Sequence, residues 1–406
     1  MDFLNSILFL NRSFYPDVES TGQLLTELCQ ELVDDFEIHV ICGNPLYRKV
    51  KNSFLISKSN YKNITIWRIN NTSFPKKHLF TRLINLVSYF IPCFFKVTSF
   101  KKVSCIISET DPPLLGLIAY FYSKVRNCPF IYYVQDLWPN VGIVNGKLTN
   151  PIIIKILKRA NKFLYDNSDK IVVPGTDMKK RLGEENNIPS SKIKVVENWA
   201  DPSQIYPIKP EQNVFLREGF LKDKFVVMYS GNIGLSQDLK NIIYSANSLK
   251  EIHDIIFVLI GEGAYKKRLV DLSSSLGLKN IKFLTYQEKD NLKFTLSAAH
   301  IHLVPMIKGM GGYIVPSKVY GIMAAGRPYI AALDKDSEIH KMTVEFNCGI
   351  NVRPSDIEEL KNGVLWAYNH KQEIEKMGEN GRTALEKFYS IKVCAQKFKK
   401  VIEDTI

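Results

Sequence analysis

Short apolar runs recur along the whole chain, each followed by an amphipathic stretch, and that alternation admits few folds. It marks βα units laid on a parallel sheet. The spacing predicts strands over 7–11, 38–42, 64–68, 103–108, 130–134 and 171–174 in the first half. In the second half it predicts 225–230, 255–260, 281–284, 301–305 and 329–332, with helical patterns such as 22–33, 239–249 and 266–276 between strands. The segment ADPSQIYPIKP at 200–210 carries three prolines in eleven residues, an extended linker composition. The fold expected is α/β: two doubly wound, Rossmann-like domains facing a central cleft, with ligands at the carboxyl ends of the strands.

At 406 residues the chain is too long for one core and fits two domains. A hydrophobic share of 45% and a charged share of 23% exclude disorder and a disulfide miniprotein. Lys+Arg exceed Asp+Glu by 54 − 41 = 13, so the surface draws anions. That positive charge is dispersed and carries no nucleic-acid motif, so nucleic acid is not expected as a partner. The seven cysteines are scattered without a CxxC pair, which favours buried reduced thiols over disulfides or zinc. The N-terminal MDFLNSILFLNRSFYP lacks the basic region and cleavage site of a signal peptide. Between Arg82 and Lys96 lie thirteen uncharged residues including Pro92, too few for the roughly 20 that span a bilayer. A cytoplasmic chain is expected.

Several turns suit a phosphate. FYPDVESTGQ (14–23) places Thr21 and Gly22 at the opening of a helix, with Thr21 as candidate N-cap. YSGNIG (229–234) follows one strand, and Gly231 and Gly234 allow close backbone approach beside the donor–acceptor side chain of Asn232. IGEG (260–263) follows the next, backed by Lys266, Lys267 and Arg268; it half-matches a dinucleotide fingerprint but lacks the third glycine. GGYIVPSKVYGIMAAGRP (311–328) is the sharpest segment. Pro316 there suits a first helical position, with Ser317 and Lys318 on the first turn, where amides, hydroxyl and ammonium converge on a phosphate.

Other candidates read differently. Asp334-Lys335-Asp336 spells DxD, but a helix start at Ser337-Glu338 makes capping the better account, and no metal is expected. Asp136, in YVQDLWP (133–139), pairs a carboxylate with aromatic neighbours and suits acceptor hydroxyls, or equally a structural turn. His300 and His302 alternate along a strand and lack metal-ligand spacing. The stretch 76–102 mixes aromatics and aliphatics between flanking lysines, a composition suited to peripheral contact with an anionic membrane.

Taken in order, FYPDVESTGQLLTEL (14–28), VVENW (195–199), MYSGNIGLSQDLKNIIYSA (228–246), VLIGEGAYKKRL (258–269), VPSKVYGIMAAGRP (315–328) and FYSIKVCAQKF (388–398) resemble the family 4 retaining glycosyltransferases of GT-B fold. The likeness is to bacterial transferases of O-antigen, capsule and colanic-acid assembly, including L-fucose and N-acetyl-L-fucosamine transferases. The resemblance implies an acceptor-binding domain at 1–205, a nucleotide-sugar-binding domain at 206–388, and a last helix, 389–406, returning to the first domain. It places Gly231, Asn232, Gly234, Gly261, Glu262, Ser317 and Lys318 on the donor, with Gly22 closing from the first domain. The implied donor is a nucleotide sugar, UDP favoured over GDP, without metal or other cofactor. The implied acceptor is a lipid-linked glycan at the inner face of the plasma membrane.

One departure stands out. The family's paired glutamates fall at Tyr313 and Gly321, so both carboxylates are missing, and Glu338, further on, is expected to substitute in part. Gln135-Asp136 stands where the family often has histidine. In the expected reaction Lys318 and turn amides take the leaving diphosphate's charge, while Asp136 orients the acceptor. Two other readings remain at this stage: a nucleotide-sugar epimerase of the same architecture, and a non-catalytic scaffold in a polysaccharide assembly complex.

Overall fold

A computed structural model describes residues 4–17, 19–45, 55–74, 79–217, 219 and 221–406. Two compact units divide the chain: Met1–Ile143, Leu148–Glu197 and Ile391–Ile406 form the first, Val144–Lys147 and Asn198–Ser390 the second.

The first unit is built on strands β1 (Asn5–Leu10), β2 (Phe36–Cys42), β3 (Ile56–Tyr61), β4 (Ile64–Ile69), β5 (Cys105–Glu109), β6 (Phe130–Tyr133), β7 (Lys170–Val173) and β8 (Ile193–Val195). Its helices are α1 (Ser20–Leu32), α2 (Leu79–Thr98), α3 (Gly116–Arg126), α4 (Asn140–Val144), α5 (Pro151–Asn167) and α6 (Thr176–Asn186). The strand order is β3-β4-β2-β1-β5-β6-β7-β8, parallel except for β3. Parallel strands covered on both faces must be apolar throughout, and CIISE of β5 is buried at every position.

β3 escapes the sequence pattern because it is polar and lies at the edge. It pairs antiparallel with β4 through a tight turn in which Lys62 and Asn63 adopt positive φ. β8 is missed for a different reason: it is only three residues long. Helix α1 begins at Ser20 with Glu19 as N-cap, so the expected cap at Thr21 is corrected.

The second unit carries β9 (Phe225–Ser230), β10 (Ile255–Ile260), β11 (Ile281–Leu284), β12 (Ile301–Pro305), β13 (Tyr329–Ala332) and β14 (Gly349–Val352). Its helices are α7 (Leu239–Ser248), α8 (Lys266–Ser275), α9 (Leu292–Ser297), α10 (Lys318–Ala324), α11 (Glu338–Phe346), α12 (Ile357–Asn369) and α13 (Lys371–Ala384). The order β11-β10-β9-β12-β13-β14 is all parallel and doubly wound. Its switch point lies between β9 and β12, where such sheets open a crevice for ligands. The last helix, α14 (Ile391–Glu403), belongs to the first unit, where buried Phe398 packs against Phe9 and Tyr133.

At the carboxyl ends of β9 and β10 two glycine turns clasp each other. The Gly231 amide donates to the Ile260 carbonyl at 2.9 Å, and the Ile233 amide to the Glu262 carbonyl at 2.9 Å. A Cβ on Gly261, at φ +145°, would stand 1.9 Å from the Gly231 carbonyl oxygen. Glycine is required there for the turns to meet, before any ligand is considered. Gly321, inside α10, differs: a Cβ there meets only the Leu296 and Ile205 side chains at 3.5 and 3.9 Å.

Opposite outcomes follow for one added methyl. Gly261→Ala should destabilise the second unit by roughly 2 kcal/mol or more, whereas Gly321→Ala should stabilise it by about 0.5–1 kcal/mol. Urea unfolding of the two variants checks both signs.

Candidate active site

Lys318 opens α10 beside the switch point. Its ammonium lies over the Tyr229 ring, 3.7 Å from the centroid, and its Nζ is closed off from solvent with no hydrogen-bond partner. A Cβ on Gly231 would sit 3.0 Å from that nitrogen, so the glycine leaves the space the ammonium uses. Burial pushes Lys318 down to about 7, because no counter-charge compensates the loss of water.

The helix starts at Lys318 rather than at Pro316, which corrects the expected first position and places Ser317 at the N-cap. Arg382 fixes the far end of α10 by donating to the carbonyls of Ala324 (2.5 Å), Ile205 (2.8 Å) and Pro202 (3.1 Å).

Gly231, Asn232, Gly234 and Gly261 all belong to the clasped turns. Asn232 is exposed, and the Tyr229 hydroxyl donates to its carbonyl at 2.7 Å. Glu262 is exposed and ion-paired with Lys266 at 2.7 Å. The Lys266 ammonium also donates to the carbonyls of Gly261 (2.9 Å) and Leu284 (3.1 Å). It therefore staples its own turn instead of standing behind it for a phosphate, a correction to the sequence reading.

Glu338 opens α11 beyond β13, one strand further from the switch point. Ser337 caps that helix through the His340 amide. In the DxD stretch the cap is thus Ser337, while Asp334 accepts from the amides of Gly309 and Gly311 at 2.9 Å each and holds the loop before α10. His302 is buried, with Nε2 2.9 Å from the Leu296 carbonyl oxygen. His300 Nδ1 accepts from the Val226 amide at 3.0 Å. Burial pushes both imidazoles down to about 4, so they sit neutral in the fold. Among the described residues no His, Cys, Asp or Glu cluster could hold a metal ion.

In the first unit, Gly22 lies in the first turn of α1, where a Cβ would meet Ser13 Cβ at 2.9 Å. Its smallness seats the helix on the loop after β1. Arg12 in that loop pairs with Glu19 at 2.6 Å and with Asp111 at 3.0 Å. Asp136, just past β6, is pushed up to about 7 by burial and then by Asp111.

Sequence reasoning missed Glu109. It ends β5 and is 1% exposed, with the Gln135 side chain beside its carboxyl. Burial first, then Asp111, raises it well above the ordinary carboxylate range. The one visible signal was a carboxylate closing an otherwise uncharged strand, SETDPP at 108–113.

The second unit thus presents clasped glycine turns and an unneutralised ammonium, an arrangement suited to a phosphate-bearing ligand. Residues 212–384 match the family described as glycosyl transferases group 1, and residues 21–204 match glycosyltransferase family 4. The probable glycosyltransferase WbjE of Pseudomonas aeruginosa is 30% identical over 303 residues, 73% of this chain and 74% of that one. The putative colanic acid biosynthesis glycosyl transferase WcaI of Escherichia coli K12 is 24% identical, covering 89% and 91%. Anabaena HepE, solved with UDP and glucose, superposes with TM-score 0.75 at 15% identity over 98% of this chain and 100% of its own. The fold is GT-B, and the chain belongs to the group 1 glycosyltransferases.

Proposed function

We propose that this glycosyltransferase moves a deoxy or amino sugar, L-fucosamine-like, from a nucleotide diphosphate donor to a lipid-linked glycan in bacterial surface polysaccharide synthesis. The observation that carries the donor half is the buried Lys318 ammonium beside Gly231, a cation with no oxygen to receive its hydrogens. UDP is the favoured nucleotide, supported by the UDP complex of HepE. The polysaccharide setting is supported by WcaI, whose name places it in colanic acid biosynthesis.

In the proposed step the bond from the sugar's anomeric carbon to the β-phosphate oxygen breaks, with its electron pair going to that oxygen. The acceptor oxygen bonds to the same face of the sugar, and its proton passes to the leaving phosphate. Lys318 swings from the Tyr229 ring to the diphosphate across the gap left by Gly231, and turn amides share the charge. Ser317 is assigned to the diphosphate, and Gly231, Asn232, Gly234, Gly261, Glu262 and Glu338 to the donor. Gly22 is assigned to closure over the donor and Asp136 to orienting the acceptor hydroxyl.

The setting proposed is the cytoplasmic face of the inner membrane, with peripheral contact through 76–102. Of that stretch, residues 76–78 lie outside the described residues. No described helix is long and apolar enough to cross a bilayer.

Thermal shift across UDP-, GDP- and dTDP-sugars tests the donor: stabilisation by one nucleotide family supports the reading, and none by any would overturn it. Lys318→Met should raise the melting temperature of the unliganded protein and abolish the nucleotide shift. The unliganded gain should be larger at pH 6 than at pH 9. The folded amine titrates near 7 and the unfolded one near 10.5, so the cost of burying the charge is full below 7 and relieved above it.

Donor binding favours the protonated amine, so UDP affinity should fall about tenfold per pH unit as pH rises past 7. Isothermal titration across pH 6 to 9 reads this slope, which the Met variant should lack. Asp136→Asn should lower kcat while leaving UDP affinity unchanged, and should remove a rise in activity through pH 7, where the carboxyl ionises.

A further inference from the structure

Three helices of the first unit lie side by side and turn apolar residues outward. Phe94 of α2 packs on Phe121 of α3 with centroids 5.1 Å apart, and Tyr120 of α3 on Phe163 of α5 at 4.8 Å. On α2, Leu83, Val87, Ile91 and Phe95 recur every fourth residue and are all exposed, Phe95 by 67%. On α3 the same spacing exposes Leu117, Phe121 and Val125. On α5 it exposes Ile152, at 69%, and Ile156. A four-residue period keeps each set on one side of its helix, so the three stripes share one layer.

Cations accompany them. Lys124 stands exposed on α3, as do Lys155, Lys158 and Arg159 on α5. Across the three helices the sequence holds one acid, Asp166, and that is paired with Lys162 at 2.7 Å. Interfaces between proteins are depleted in lysine, whereas aliphatic and aromatic residues beside Lys and Arg are what an interfacial helix offers to acidic headgroups.

We infer that α2, α3 and α5 together form a docking face for an anionic lipid bilayer, with the α5 lysines on lipid phosphates and the stripes in the headgroup–acyl boundary. This rests on the peripheral contact proposed above for 76–102 and enlarges it from one helix to three. The added helices lie outside that segment, and α5 supplies most of its charge.

The test is flotation of the full chain with vesicles of phosphatidylcholine alone or with 30% phosphatidylglycerol (about one acidic lipid in three), at low and high salt. Four variants are compared: Ile91→Ser/Phe95→Ser, Phe121→Ser/Val125→Ser, Ile152→Ser/Ile156→Ser and Lys155→Glu/Lys158→Glu. All change exposed side chains, and an unaltered circular dichroism spectrum and melting temperature of the unliganded protein certify each fold. Wild type should float with acidic vesicles only, and less in high salt. The α5 charge variant should lose about tenfold or more in partitioning, and the α3 and α5 serine variants severalfold each.

Wild-type-like flotation of the α3 and α5 variants, with loss only in the α2 variant, would overturn the three-helix face and leave the single-helix contact standing. Failure of wild type to float at all would remove both, while the donor reading stands or falls on its own thermal shift. A dimer by light scattering that the α5 variants dissociate, with no flotation, would overturn the proposal by making a second copy the occupant.

Discussion

An ammonium enclosed by protein without an oxygen to receive its hydrogens is costly, and much of the second unit serves to keep one in place. Lys318 sits over Tyr229, in room left by the absent side chain of Gly231. That room exists because the turns after β9 and β10 are tied backbone to backbone. The helix bearing Lys318 is fixed at one end by Arg382 and preceded by a loop that Asp334 holds. A core optimised for stability alone would place a methionine at this position. The cost of an uncompensated charge is instead held at the switch point.

The first unit holds the opposite kind of charge at its own strand ends. Arg12 is committed to Glu19 and Asp111, so it is unavailable to neutralise Glu109 or Asp136. Both of those carboxyls are pushed upward, Glu109 well above the ordinary carboxylate range and Asp136 to about 7. Burial is the first cause of both shifts, with Asp111 adding to each.

Much of this was legible in the sequence, and the failures have physical causes. Fully buried parallel strands such as IIFVLI of β10 announce themselves, whereas ISKSNY of β3 is an edge strand whose side chains face water. That Lys318 opens a helix near glycine turns was legible in the sequence, and the structure brings Lys318 and Gly231 together. What the glycines do locally was not legible, because the clash that forbids a side chain at Gly261 comes from a carbonyl thirty residues earlier. Glu109 closes an uncharged run yet did not stand out, because a carboxylate at a strand end is ordinarily solvated and only the packing around β5 closes it off. The outward isoleucines of α5 carry no such signal, since amphipathic spacing gives a helix its stripe without saying what covers it.

The return of α14 to the first unit has a bearing on how the chain comes into being. Phe398 fills a space between Phe9 and Tyr133, Lys397 pairs with Glu197, and Lys399 with Asp35. Everything else in that unit has left the ribosome by residue 197, yet its last structural piece is made only after nearly two hundred further residues. Synthesis therefore runs from first unit to second, while completion runs in the reverse order. The nascent first unit waits with an open hydrophobic seam until α14 is made, and a chain released before that point carries the seam exposed to the cell's quality control.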